Sequence, residues 1–315
     1  MPRKSMTYLA LLILTTVSGS SHAQTTITVN GPSGPIYLFG GTTLNIDSPA
    51  SVSGSLPPPN SYITILGSAP NTTINMNGGQ VIYDIPPVSL GLAILSEGTF
   101  TATGGTVQGG VGLLAYGPTQ ISGGTFIGEG SPAAEILAPI GGNVSISGGT
   151  FRGDTAYPAA YGLILSLSTS AQASITGGNF SGGGGGVGFS LSYDGSADTT
   201  TDVHGGLFTG AININLNNTS SFLNFFGHNF QLQQIGVDEY QFTGTLADGN
   251  PLDVTLSNSG FPPFTSHIKT VGNQEEFVFA GVPEPSSVVM LATGLVGLAA
   301  AGAFRRRRHR RMAIA

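Results

Sequence analysis

The carboxylates with the best spacing for chemistry lie in one short segment of the chain. Asp194, Asp198 and Asp202 recur every fourth residue among glycine, serine and threonine. Calcium prefers several oxygen ligands of this kind, and paired carboxylates also serve polysaccharide hydrolases. The spacing matches neither the EF-hand loop nor the calcium-binding nonapeptide repeat. We therefore predict a solvated loop without a metal ion, with calcium binding as the alternative.

Other residues that could act as a base, nucleophile or ligand are scattered. The histidines of the central segment are His204, His228 and His267. Cysteine is absent, which excludes thiol catalysis, zinc–thiolate sites and disulfides. Arg152 and Lys269 are the only basic residues between positions 24 and 281, too few for the motifs of polysaccharide lyases and hydrolases. We predict no enzymatic activity and no cofactor; the competing prediction is a lyase or hydrolase that depends on Asp198 or Asp202.

The charges are distributed unevenly along the chain. The formal net charge is −6, but eight of the ten basic residues lie before position 24 or after position 304. The central segment keeps two basic and fifteen acidic residues, a net charge of −13. Such a segment repels nucleic acid and anionic lipid, so neither is predicted as its partner.

The beginning of the chain has the composition of an export signal. Arg3 and Lys4 precede an apolar run at 8–17, and small residues follow up to Ala23. Charge, apolar run and small residues in this order are typical of a secretory signal peptide. We predict a signal peptide at 1–23, cleaved between Ala23 and Gln24.

The end of the chain has the composition of a membrane anchor. The nineteen residues 286–304 carry no charge, and as a helix they would extend about 28 Å, close to the roughly 30 Å hydrocarbon core of a bilayer. The basic residues that follow are Arg305, Arg306, Arg307, Arg308, Arg310 and Arg311. The positive-inside rule places this cluster in the cytoplasm and everything before position 283 on the other side. We predict a transmembrane helix at 286–304.

A short motif immediately precedes the apolar run and consists of Val282, Pro283, Glu284 and Pro285. The motif, a helix rich in small residues and the terminal arginines, in this order, resemble the PEP-CTERM sorting signal over residues 282–311. The resemblance implies that a membrane exosortase cleaves near the motif and passes the protein to the cell surface or to an exopolysaccharide matrix. An ordinary C-terminal anchor with the same topology is the alternative.

A glycine pair recurs through the central segment. The first glycines of the pairs are Gly78, Gly104, Gly123, Gly148, Gly177 and Gly205, which are 26, 19, 25, 29 and 28 residues apart. An apolar residue lies two positions before each pair and another lies three positions after its first glycine, with serine, threonine and asparagine between. This alternation predicts strands with one buried face. The glycine pair predicts a bend or bulge that a Cβ atom would obstruct.

A second apolar strand pattern follows most of the pairs, as at 111–115, 134–137 and 161–165. Two or three short strands in a repeat of about 25 residues are what one coil of a parallel β-helix requires. We therefore predict an all-β fold in which residues 24–220 form a parallel β-helix.

Residues 221–281 differ in composition from the repeats. Longer, more aromatic strands are predicted at 222–227 and 240–246, and we expect them to cap the last coil and block edge pairing. The strings at 224–230 and 244–249 also resemble the segment that often follows such repeats in PEP-CTERM proteins. The last part, 261–280, is predicted to be one strand and a linker, with Glu275 and Glu276 as linker charge.

These features together predict an exported structural or adhesive protein. Its expected partners are an exosortase-type enzyme, the membrane through the C-terminal helix, and exopolysaccharide, whose hydroxyls would hydrogen-bond to ladders of polar side chains. We expect a precursor anchored in the inner membrane and a mature protein at the cell surface or in the extracellular matrix. A permanently anchored binding module is a further alternative.

Overall fold

The computed structural model of the chain describes residues 24–54, 62–83, 91–130, 132–154, 160–193, 198–216, 220–258, 265–271 and 274–280. The predicted signal peptide and the predicted sorting signal lie outside these ranges. Within them the chain is all-β, with 27 strands and one short 3-10 turn.

Twelve strands form the first four coils: β1 (Thr25–Val29), β2 (Pro32–Ser33), β3 (Ile36–Leu38), β4 (Thr42–Ile46), β5 (Ser51–Ser53), β6 (Ile63–Gly67), β7 (Thr73–Met76), β8 (Gln80–Ile82), β9 (Leu92–Ser96), β10 (Thr99–Ala102), β11 (Thr106–Gly109) and β12 (Val111–Ala115). Ten strands form the next four: β13 (Thr119–Ile121), β14 (Thr125–Gly128), β15 (Ala134–Ala138), β16 (Asn143–Ile146), β17 (Thr150–Gly153), β18 (Leu163–Leu167), β19 (Gln172–Ser181), β20 (Val187–Tyr193), β21 (Thr199–Thr209) and β22 (Ala211–Asn215), with the 3-10 turn at Gly183–Gly185. The remaining strands are β23 (Ser221–Gly236), β24 (Glu239–Leu246), β25 (Pro251–Asn258), β26 (Thr265–Val271) and β27 (Gln274–Ala280).

Parallel pairing between coils arranges these strands in three ladders. The first ladder contains β1, β4, β7, β10, β13, β16, β19, β21 and β23. The second contains β2, β5, β8, β11, β14, β17 and the last residues of β19 and β21. The third contains β3, β6, β9, β12, β15, β18, β20, β22 and β25. The described chain is therefore a parallel β-solenoid, which confirms the predicted class of fold.

The glycine pair forms the corner between the first and second ladders. Its second member, as at Gly149 with φ of 95°, is in the left-handed region that L-residues rarely adopt. Its first member lies against the preceding coil, since a Cβ atom on Gly148 would be 2.4 Å from the carbonyl oxygen of Ser122. Both positions therefore exclude a side chain, for different reasons. The predicted bend is confirmed, and the spacing of the pairs is the length of each coil.

The residue three positions after the first glycine points into the core of the solenoid. Phe126, Phe151 and Phe180 are stacked there, with ring centroids 5.0 and 5.1 Å apart and ring planes within 10° of each other. Phe208 continues the stack at 4.9 Å from Phe180. The stack belongs to one continuous apolar core that runs from Leu38 to Phe279. Burial of this core and aromatic stacking stabilise the coils in the absence of disulfides.

The last five strands change from parallel to antiparallel pairing. β23 continues the first ladder but also pairs antiparallel with β24 and β27, while β25 joins β24 to β22. This antiparallel layer covers the last coil where the sequence predicts a cap. The part predicted to be a linker instead contains β26 and β27. Glu275 accepts a hydrogen bond from the Phe230 N–H at 3.2 Å, and Glu276 lies 3.6 Å from Lys269 Nζ, so both acidic residues belong to the cap.

In the part of the chain that the structure describes, no helix is long and apolar enough to cross a bilayer. The transmembrane helix predicted at 286–304 lies outside that part.

Candidate binding face

The outward face of the first ladder presents two rows of polar side chains. The first row contains Thr26, Thr43, Thr73, Thr99, Asn143, Gln172 and Thr200, and it is interrupted in the fifth coil, where Pro118 occupies the corresponding position. The second row contains Thr28, Asn45, Asn75, Thr101, Gln120, Ser145, Ser174 and Asp202, and it ends at Asn224, which is buried. Strand geometry sets the repeat at about 4.8 Å from coil to coil, and at about 6.7 Å between the two rows. The fold therefore converts short Ser/Thr/Asn segments into a regular polar surface.

Hydrogen bonds between coils orient some of these side chains. Asn75 Nδ2 donates to Asn45 Oδ1 at 2.8 Å in the second row. Farther along the same row, Asn224 Nδ2 donates to Asp202 Oδ1, also at 2.8 Å. Such contacts hold the side chains in fixed positions before any ligand binds, which reduces the entropic cost of binding.

The polar rows form a shallow groove in the sixth to eighth coils. Its volume is about 340 Å³, and it is lined by Asn143, Val144, Ser145, Gln172, Ala173, Ser174, Thr200 and Asp202. Asn143, Ser145 and Gln172 are exposed, whereas Thr200 and Asp202 are half-buried. The groove thus offers amide and hydroxyl groups that can both donate and accept hydrogen bonds, together with one carboxylate.

The three aspartates of the acidic segment have different surroundings. Asp202 lies on β21 in the groove, and Asp198 is an exposed residue with φ of 60° immediately before that strand. Asp194 lies outside the described residues. Among the residues that are described, no three Asp, Glu or His side chains are grouped closely enough to hold a metal ion. Calcium binding by all three aspartates stays the alternative prediction from the sequence.

The histidines lie at separate places on the solenoid. The ring of His204 stacks on Phe226 at a centroid distance of 4.1 Å, where β21 meets the cap. His228 and His267 are exposed on cap strands. His204 therefore has a packing role in joining the cap to the last coil.

The third ladder has an outward row that the repeat pattern did not predict. Its members are Tyr37, Leu66, Leu95, Leu114, Glu135, Ile164, Ser190, Asn213 and Ser257. In the first four coils this row is apolar, and Leu66 packs with Ile63, Leu92 and Leu95 in a small cluster separate from the core. A signal was present in the sequence, because the strands of these coils carry adjacent apolar residues such as Ile94-Leu95 and Leu113-Leu114.

Glu135 is the carboxylate in this third-ladder row, between Leu114 and Ile164. Burial raises the pKa of the Glu135 carboxyl above its ordinary value. Neither of its row neighbours can donate a hydrogen bond or supply a positive charge, so the ionised form lacks compensation from them.

The predicted processing residues are not part of the described structure, with one exception. Gln24 is the first described residue, and Ala23 precedes it. The sorting motif of Val282, Pro283, Glu284 and Pro285 follows the last described strand. The arginine cluster of Arg305, Arg306, Arg307, Arg308, Arg310 and Arg311 also lies outside. Their roles remain predictions from the sequence.

The architecture and this face define the protein as a β-solenoid with a polar groove along one side. No protein-family model matches the chain, and neither a curated protein nor a solved structure is significantly similar to it.

Proposed function

We propose that the protein is an exported structural or adhesive protein of the cell surface or extracellular matrix, and that its first ladder binds polysaccharide. The observation that carries this proposal is the pair of polar rows and the groove within them. Sugar hydroxyls both donate and accept hydrogen bonds, as do the hydroxyl and amide groups of these rows. A repeating ligand can meet the same groups in successive coils, so weak contacts add along the rod.

The charge of the solenoid narrows the class of polysaccharide. The central segment has a net charge of −13, and Asp202 lies in the groove itself. A polymer of uronic acids would be repelled by this surface, whereas a neutral polysaccharide would not. The preferred ligand is therefore a neutral exopolysaccharide.

Export and sorting are supported by the sequence at both ends. The charged, apolar and small residues of 1–23 support cleavage before Gln24. The Val-Pro-Glu-Pro motif, the apolar run and the arginines, in this order, support sorting by an exosortase. In this scheme the helix at 286–304 holds the precursor in the inner membrane until it is processed.

Binding is tested with the mature protein and two defined probes, a neutral exopolysaccharide prepared from the native cells and a polyuronate. We expect Gln172→Ala to weaken binding to the neutral probe about fivefold, since one lost hydrogen bond is worth about 1 kcal/mol. Gln80→Ala is the matched control, because Gln80 is equally exposed but points outward from the second ladder. Equal affinities of the two variants would contradict the assignment of the groove.

The competing function is a polysaccharide-active lyase or hydrolase, and the position of Asp202 in the groove is the observation that favours it. Incubation of the mature protein with the same two polysaccharide probes distinguishes the two functions, because an enzyme would release shorter or unsaturated products over time. Asp202→Asn would abolish that release, whereas in a binding protein it would leave the polysaccharide intact and affect affinity only.

A further inference from the structure

In the part of the chain that the structure describes, no strand covers the N-terminal end of the solenoid. Within the described residues, β1, β2 and β3 each pair with one strand only, on the side of the second coil. The Thr25 N–H and the Val29 carbonyl bond toward that coil, at 3.1 and 3.0 Å. Because successive residues of a strand point their peptide groups to opposite sides, those of Thr26 and Thr28 face away from the solenoid. They form an unpaired edge.

The chemistry of this edge favours pairing with another strand. No charged side chain occurs from Gln24 to Ile46, although charged residues are a common means of protecting an edge. Ile27, Val29 and Ile36 are half-buried and pack against the core from the open side. The first coil therefore presents both unpaired backbone groups and apolar surface at its end.

The opposite end of the molecule is built differently. The antiparallel layer covers the last coil, and its edge strand β26 pairs with β27 alone among the described strands. β26 carries His267 and Lys269, and the Lys269 ammonium lies 3.6 Å from Glu276. This edge is therefore protected by charge, so head-to-tail stacking of the N-terminal edge on β26 is disfavoured.

Nothing upstream is left to cover the open edge in the mature protein. β1 begins at Thr25, the second residue after the predicted cleavage site. The freedom of the edge therefore rests on the cleavage that is part of the export proposed above. We propose that the open edge is an interface with a second copy of the chain, in which β1 pairs antiparallel with β1 of the other copy across a two-fold axis. Such an interface is isologous and closed, because each copy contributes the same surface. It joins two solenoids end to end and doubles the number of polar coils available to one polysaccharide.

The absence of cysteine allows a direct test by single substitutions. Across a two-fold antiparallel contact, the β1 residue on the axis lies opposite its own copy, within the Cα separation of about 4.4–6.8 Å that a disulfide requires, whereas an axis at position 27 brings residue 26 of one copy opposite residue 28 of the other. We therefore expect mature protein carrying Thr26→Cys, Thr28→Cys or both substitutions together, purified from the native cells, to form a disulfide-linked dimer on mild oxidation in at least one of the three variants. Ser266→Cys, on the exposed edge strand β26, is the matched control and should remain uncrosslinked.

Light scattering of the cysteine-free mature protein, with its N-terminus verified as Gln24, should give the mass of a dimer. Ile27→Lys and, separately, Thr28→Pro should give monomers with an unchanged circular dichroism spectrum. Thr28→Pro removes the N–H that faces away from the second coil, and it removes no hydrogen bond within the solenoid. A monomeric mature protein, or crosslinking through Ser266→Cys, would overturn the proposal. So would a monomer that retains residues 1–23, since that segment would then be the occupant of the edge.

Failure of the proposed dimer is distinguishable from failure of the proposed polysaccharide binding. Loss of dimers leaves the effect of Gln172→Ala on polysaccharide affinity unchanged, because Gln172 lies in the seventh coil. Conversely, a dimer that binds no polysaccharide retains the interface and refutes only the binding function.

Discussion

At the scale of single residues, Glu135 is an ionisable side chain in a half-buried position between two apolar neighbours. Its folded pKa is raised by burial, so the folded state binds the proton more tightly than the unfolded chain. Stability from this group is fully present below the unfolded pKa and is lost as the pH rises through the folded pKa. We expect Glu135→Gln to stabilise the protein at pH 7, by at most about 1 kcal/mol because the group is only half-buried.

Urea denaturation at pH 4 and pH 7 measures this effect. As the pH rises from 4 to 7, the free energy of unfolding should change less favourably for the wild type than for Glu135→Gln. Glu97→Gln removes the same charge from an exposed position and is the control. A variant that is less stable than the wild type at pH 7 would show that the Glu135 carboxylate has a stabilising partner.

The inward residues could be predicted from the sequence because they are tied to the glycine pair. Ile121 and Phe126, for example, lie at fixed offsets from Gly123, and both are buried. The contacts between outward side chains could not be predicted from the sequence, because they depend on which residues of two coils are in register. Asn224 bonds to Asp202 across 22 residues, whereas Asn75 bonds to Asn45 across 30. Because the coils differ in length, the number of residues between outward neighbours in adjacent coils is not constant.

At the scale of elements, the turn between β24 and β25 docks the cap on the last coil. Asp248 Oδ2 accepts a hydrogen bond from the Gly206 N–H at 2.7 Å, and the Asp248 N–H donates to the His204 carbonyl at 3.1 Å. The same carboxylate accepts two further bonds from Asn250, at 3.0 and 2.7 Å. Gly205 is required here, since a Cβ atom would lie 2.5 Å from the backbone carbonyl oxygen of Thr176 and 2.4 Å from Asp248 Oδ2.

We expect Asp248→Ala to destabilise the protein by about 1–3 kcal/mol, because the Gly206 N–H loses its charged acceptor. Thermal unfolding measures the loss. Asp253→Ala is the matched control, since Asp253 lies on β25 and accepts a bond from Gln241 at an exposed position; that change should cost little. Equal losses in the two variants would argue against docking through Asp248.

The cap also shows where sequence patterns stop predicting elements. Glycine and aspartate, which favour turns, occur at 236–238 and 247–250, and both segments join antiparallel strands. The pairing of β27 with β23 has no such local signal, because Phe225 meets Phe277 across some fifty residues that contain three other strands, β24, β25 and β26. Without knowledge of that pairing, charged residues such as Glu275 and Glu276 are indistinguishable from linker residues.

At the scale of the whole molecule, the residues of the core lie in the sequence between the two segments that are proposed to direct export and sorting. Among the described residues, the apolar core runs from the first coil to the cap. In a solenoid each coil contacts mainly its neighbours, and stability is the sum of those interfaces. The segments at the two ends are then available for export and sorting.

This separation leads to a prediction about the mass of the mature protein. If an exosortase recognises the Val-Pro-Glu-Pro motif, intact-mass spectrometry of the surface and matrix fractions should find a chain that begins at Gln24 and ends between Pro283 and Pro285. Glu284→Ala should then accumulate in the membrane fraction with Arg305 to Arg311 retained, because removing a side chain from the motif impairs cleavage but not folding. Glu97→Ala removes one carboxylate from the solenoid surface and should be processed normally. Wild-type protein that keeps the arginines and remains in the membrane would instead establish a tethered surface binder, whose polar ladders act from a fixed position on the cell.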